Sequence, residues 1–266
     1  MAERRPAVGS DADLVTLRTA EQLDAAANLL WSIWGARNGV ERSEVISNSM
    51  LRTLAHSGNY VVGAYRGDEL IGCTVGMFGS ASGRPDHLHS YIAGVPQAQS
   101  NRGVGYAMKR HQRQWALERG IGTIKWTFDP MVAGNAYFNL CKLGVTVMSF
   151  EPDFYGRLDD GYNTDQSTDR LLVEWNLRAE WVEQAMTGDR GGFRRHISVV
   201  PEAELIPVPE DIGKLLERDP QLAQQERLVV RQRFQSLITQ GYQVVGMSKA
   251  REYVLLAGGV EPRYEA

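Results

Sequence analysis

Cysteine is scarce in this chain. Cys73 and Cys141 are the only two in 266 residues, too few for a disulfide framework or a thiolate metal set. A reduced, cytoplasmic setting is therefore expected, with no metal. Charge of one sign is not in excess either: the net charge is −3, which argues against bulk attraction to nucleic acid or to a membrane. No apolar run approaches the ~20 residues that span a bilayer. The opening "MAERRPAVGSDAD" carries charges but no apolar h-region, so no signal peptide is expected there. Repeats and low-complexity segments are missing. What remains is an ordinary globular composition, 43% hydrophobic and 23% charged, long enough for one or two domains.

The apolar periodicity supplies the outline. "LVTLRTA" (14–20) alternates as a strand, and "EQLDAAANLLWSIWG" follows as an amphipathic helix with Leu23, Ala26, Ala27, Leu30 and Trp34 on one face. A second helix is expected over 42–56. Two apolar runs joined by Arg66-Gly67-Asp68 read as a β-hairpin. "HLHSYIAGV" (87–95) is a strand, 104–119 a helix, "TIKWTF" (123–128) a strand, and "NAYFNLCKLG" (135–144) a short helix ended by glycine. "VTVMSF" and "RLLVEWNL" are two more strands. "WVEQAMTGDRGGFRR" (181–195) reads as a loop-rich connector. It leads to "HISVV", helices near 209–217 and 220–239, and two closing strands. The order is β-α-α-β-β-β-α-β-α-β-β up to residue 177, a mixed α/β layer with a central βαβ crossover. A small α+β extension follows, so the expected division is 1–180 and 181–266.

The stretch "SNRGVG" sets Gly103 and Gly105 at the start of a helix, directly after a strand. Glycine inside a helix costs about 0.5–1 kcal/mol against alanine, whereas bare backbone at a helix N-terminus is a ready anion site. A triphosphate loop would need Lys-Ser/Thr after the glycines, and Tyr106-Ala107 stands there. A dinucleotide fingerprint would need a third glycine and an acidic residue about 20 positions on, and Asp129 is too far along.

A third pattern, Gln/Arg-x-x-Gly-x-Gly/Ala, is the pyrophosphate loop of the GNAT acyltransferases, which "SNRGVG" resembles. "WTFDP" resembles that family's following strand, and "NAYFNLCKLGV" its later helix with an Asn and a terminal Lys-x-Gly. "YGRLDDGYNTDQSTDRLLVEW", "VPEDIGKLLERDP" and "FQSLITQGYQVVG" are similar to one branch, whose members include amino-acid N-succinyltransferases associated with N-succinylamino acid racemase. The resemblance of the core covers about 14–177. It implies a GNAT fold, with a mostly antiparallel mixed sheet, and an N-acyltransferase. Such an enzyme would move acetyl or succinyl from acyl-CoA to the amine of a small molecule or amino acid.

Two positions depart from that pattern. Ser100 replaces the Gln or Arg, and Leu140 stands where many members carry a tyrosine that protonates the leaving thiolate. Tyr137 lies almost a turn away.

Under the resemblance, Arg102, Gly103, Val104 and Gly105 cradle the pyrophosphate, and the strand around Gly94 and Val95 pairs with the pantetheine arm and offers an oxyanion amide. Asn135, Phe138 and Lys142 face the cosubstrate from another wall. Asn135 is equally explained as a helix N-cap, and Lys142 as a favourable charge in a last helical turn. For the base, Asp129 has the right address, against a turn made with Pro130. His89 and His87 share one strand face and are the rivals. Glu174 is either a strand charge facing a partner or a weaker base candidate. Arg170 and Arg157 suit the free carboxylate of a succinyl group, or salt bridges to Asp159, Asp160 or Asp165. Cys73, Cys141 and the Trp31–Trp34 pair read as core. The extension either caps the acceptor side or builds a homodimer surface, with a sheet edge near 146–176 suited to pairing. Two other readings stay open: a CoA-binding module without catalysis, and a nucleotide-binding regulator.

Overall fold

The computed structural model describes residues 5–6, 12–35, 45–80, 83–156, 167–187 and 195–264. The architecture is mixed α/β, with a mixed, mostly antiparallel sheet and seven helices among the described residues. The chain divides into two compact units, one built on residues 1–125 and the other on 126–158 and 165–266.

The first unit opens with β1 (Arg5–Pro6) and β2 (Asp13–Thr16), then α1 (Ala20–Trp34) and α2 (Asn48–His56). The strand expected over 14–20 stops at Thr16. Thr19 is instead the α1 N-cap, and Thr19 and Gln22 exchange side-chain-to-backbone bonds in a capping box. The helix expected over 42–56 is confined at its start by Ser47, whose hydroxyl accepts from the amide of Met50; residues 41–44 lie outside the described segments. Leu23, Ala26, Ala27 and Leu30 are buried as their spacing requires, against Leu51, Leu54, Val61 and Val75.

The hairpin is β3 (Tyr60–Arg66) and β4 (Glu69–Gly79), with Gly67 at φ 59° in the turn. β5 (His87–Gly94) pairs antiparallel with β4. A single 3₁₀ turn (Gln97–Gln99) leads to α3 (Val104–Leu117), and β6 (Thr123–Phe128) returns parallel to β5. That is the expected crossover. β6 carries the chain from the first unit into the second.

In the second unit α4 (Ala133–Tyr137) widens into a π-turn over Phe138–Leu143 and ends at Gly144, φ 71°. β8 (Arg170–Asn176) lies between β6 and β7 (Thr146–Glu151). Trp175 is wholly buried, and its indole donates to Leu143 O at 2.9 Å. The connector expected over 181–195 is in part a helix, α5 (Glu180–Thr187), with Val182, Ala185 and Met186 buried. Residues 188–194 are not described. "HISVV" forms only a bridge between Ile197 and Tyr264. The rest is β9 (Glu204–Ile206), α6 (Ile212–Arg218), α7 (Pro220–Thr239), β10 (Tyr242–Met247) and β11 (Tyr253–Ala257), with the strands in the order β10-β11-β9.

Candidate functional site

In the first unit the geometry of interest begins on β5. Its ladder with β4 slips between Val75↔Ile92 and Gly76↔Ser90, so Tyr91 is an extra residue and the strand bulges. Such bulges re-aim groups beside active sites. On the other side the parallel ladder comprises Leu88↔Ile124 and His89↔Lys125, while β5 runs on to Gly94. A Cβ at Gly94 would lie 2.8 Å from Ile33 Cδ1 and 3.1 Å from Leu30 Cδ2. A side chain there would push the ends of Ile33 and Leu30 aside, so the packing of α1 favours a glycine at 94 whatever else the strand does.

The loop beyond is strained where it turns into α3. Asn101 sits at φ 61°, and Gly103, the N-cap, at φ 81° with no side-chain cap. The left-handed conformation is what glycine supplies at little cost. Gly105 differs. It lies inside the first turn, and a Cβ placed there would meet nothing within 4 Å. Among the described residues the packing gives no reason for a glycine at 105. Arg102 is exposed and Val104 buried. The Ser100 hydroxyl points back to Pro96 O at 3.5 Å, and the neighbouring Gln99 side chain is engaged by Arg66 at 2.7 Å.

His89 is half-buried, and its pKa is lowered by burial first, then by His87 and Lys109. His87 is bonded to Asp86. Lys109, on the buried face of α3, is pushed down to about 7 by burial. Its ammonium donates to Ser90 Oγ at 3.0 Å and Gln112 Oε1 at 3.2 Å. The Nε2 of the buried Gln112 has no hydrogen-bond partner among the described residues. No sequence signal had marked Lys109, because a lysine on an amphipathic helix normally faces water. Cys73 is buried as expected, its thiol pushed up to about 12 by burial.

In the second unit Asp129 is not open to solvent on its own. Arg227 of α7 grips it bidentately, Nη1 to Oδ1 at 3.1 Å and Nη2 to Oδ2 at 2.8 Å. The amide of Met131 also donates to Oδ1, at 2.8 Å, which is the turn role weighed against catalysis. Asn135 is exposed. Its N-cap explanation falls, since α4 starts at Ala133 with Val132 in the cap position, and its carbonyl oxygen accepts from Asn139. Phe138 and Lys142 are half-buried. Lys142 Nζ lies 5.9 Å and Arg251 Cζ 5.3 Å from the Tyr137 ring centroid, and the His196 ring lies 5.6 Å from it. Leu140 is buried and apolar, and Cys141 is wholly buried.

Arg170 is buried, donates to Asp169 O at 2.8 Å and lies 5.3 Å over Tyr155, whose hydroxyl meets Thr127 Oγ1 at 3.0 Å. Arg157 and its suggested partners Asp159, Asp160 and Asp165 lie outside the described residues. Among those described, no group of three His, Cys, Asp or Glu is placed to hold a metal, and no helix is long and apolar enough to cross a membrane.

The chain is similar to several solved structures. The chain is similar to the ribosomal-protein-S18-alanine N-acetyltransferase from Escherichia coli, at 14% identity and a TM-score of 0.49, over 63% of this chain and 95% of that one. It is similar to a probable acetyltransferase from Staphylococcus epidermidis at 18% identity and a TM-score of 0.49, over 62% and 98%. A GNAT family acetyltransferase from Elizabethkingia anophelis, solved with acetyl-CoA bound, matches at 14% identity and a TM-score of 0.43, over 56% and 88%. No protein-family model and no curated protein matches the chain.

Proposed function

We propose that this protein is an acyl-CoA-dependent N-acyltransferase acting on the amine of a small molecule or amino acid. The observation that carries the reading is the α3 entrance: a left-handed Gly103 followed by Gly105 facing open space. Unshielded amides of a helix N-terminus suit a diphosphate, as CoA presents. The β5 edge around Gly94 and Val95, just past the bulge, suits a pantetheine arm laid alongside as an extra strand. Asn135, Phe138 and Lys142 are assigned to the cosubstrate by sequence resemblance alone.

In the reaction the amine loses a proton, attacks the thioester carbonyl and expels a thiolate. His89 is the better proton acceptor of the two candidates. Burial, then the nearby His87 and Lys109, lower its pKa and so favour the neutral imidazole, the form that accepts a proton, whereas both oxygens of Asp129 are held by Arg227. A backbone amide beside the bulge would receive the developing oxyanion. The proton taken by His89 then returns to the thiolate. The acyl group is acetyl or succinyl, and Arg170 would serve the free carboxylate of succinyl.

The test is thiol release from acetyl-, malonyl- and succinyl-CoA with D- and L-amino acids, beside a thermal-shift panel of CoA thioesters, NAD and ATP. Stabilisation by NAD or ATP alone ends the reading. Leu140 favours a second reading, a module that binds CoA without catalysis. Stabilisation by CoA with no product from any amine would select it.

A further inference from the structure

The turn after β6 is gripped twice by residues from far down the chain. Arg227, 5% exposed, takes both carboxylate oxygens of Asp129 from 98 positions away. Tyr253 of β11, wholly buried, donates its hydroxyl to Pro130 O at 2.8 Å from 123 positions away. Neither grip floats. Arg227 shares the buried face of α7 with Ala223, Val230 and Phe234, and Phe234 packs edge-on against Tyr253 at 5.2 Å and stacks on Phe150 at 5.0 Å. Four residues on, Arg231 ties α7 to Asp169 and Asp153. The gripped residues, Asp129 to Met131, launch α4, which carries Asn135.

We infer that Arg227 and Tyr253 are positioning residues: the C-terminal segment clamps the Asp129–Met131 turn and so sets α4, and Asp129 acts as the anchor of that clamp instead of as a proton acceptor. The inference rests on the acyltransferase reading for its kinetic consequence and on geometry alone for the clamp. A carboxylate held by a bidentate guanidinium is fixed in orientation, and both Asp129 oxygens are already taken by Arg227. An α4 released from the clamp would meet the cosubstrate in many orientations, which weakens binding more than chemistry.

The test uses full-length Arg227→Lys, Tyr253→Phe and Asp129→Asn. Arg227→Met is avoided, because it strands Asp129 and endangers the fold. Arg227→Lys and Tyr253→Phe are expected to raise KM for acyl-CoA at least threefold with kcat within twofold. Asp129→Asn is expected to stay within about tenfold of wild-type kcat and to keep the acidic limb of the kcat/KM profile. Hydrogen exchange of the amides from Met131 to Tyr137 should quicken in the first two variants. A thousandfold loss of kcat in Asp129→Asn, with the acidic limb gone, overturns the anchor role. Unchanged KM and unchanged exchange in both Arg227→Lys and Tyr253→Phe overturn the clamp. If wild-type protein turns over no thioester, the acyltransferase reading fails, and the exchange experiment alone decides the clamp.

Discussion

Lys109 Nζ on α3 lies 3.0 Å from Ser90 Oγ on β5, a buried cation tied to the strand that bulges one residue later. Burial holds this lysine at about 7, well under the ~10.4 of an exposed lysine. Below pH 7 it is charged in folded and unfolded chains alike, and burying the charge costs stability. Between pH 7 and about 10 the unfolded chain binds the extra proton, so stability rises with pH, by roughly 2–3 kcal/mol from pH 7 to 9. Lys109→Met removes that slope. Parallel urea-unfolding profiles for the two proteins over that range would refute the assignment.

Gly103 and Gly105 separate binding from folding. At Gly103 any side chain is strained by φ 81°, so a variant there confounds the two. Gly105→Val places its Cβ in open space. Thermal stability in the absence of ligand should move by no more than a few degrees, while affinity for CoA falls at least tenfold. Calorimetry showing wild-type affinity in Gly105→Val would remove the anion cradle from the account.

Lys142 and Arg251 both stand over the Tyr137 ring. If Lys142 faces the nucleotide end of the cosubstrate, as the family resemblance implies, Lys142→Ala should weaken CoA several-fold and dephospho-CoA much less. Equal weakening of the two ligands, measured by competition, would mean that Lys142 does not meet the 3′-phosphate.

Gly144 ends the helix for a steric reason. It sits at φ 71°, and a Cβ there would lie 2.9 Å from Trp181 Cδ1, while the Trp181 indole donates to Gly144 O. Gly144→Ala should destabilise by about 1–3 kcal/mol. An unchanged denaturant midpoint would show that α5 yields at no cost.

Much of the fold was legible because periodicity reports burial directly. β6 and α7 fall at 123–128 and 220–239, as their patterns indicate, and the capping glycines at 103 and 144 mark helix ends. α5 escaped because it is only about two turns long and the glycines of 188–192 follow it, a punctuation that reads as loop. β9 escaped because three residues carry no period at all. The bulge at Tyr91 has no composition signal, since "HSYIAG" alternates equally well without one.

Local sequence settled what local forces control: the hairpin, the glycine stop at Gly144, the glycine pair at the start of α3, and which helix faces turn inward. These depend on residues a few positions apart, whose spacing is fixed by the chain itself. Tertiary structure decided what becomes of each polar group once it is placed. Asp129 reads as a base or a turn residue until Arg227 arrives from 98 positions away, and nothing in the sequence marks Lys109 as the buried amine it becomes. Chain distance says nothing about either meeting, because the energy of an ion pair or a buried amine depends on spatial separation and on excluded water.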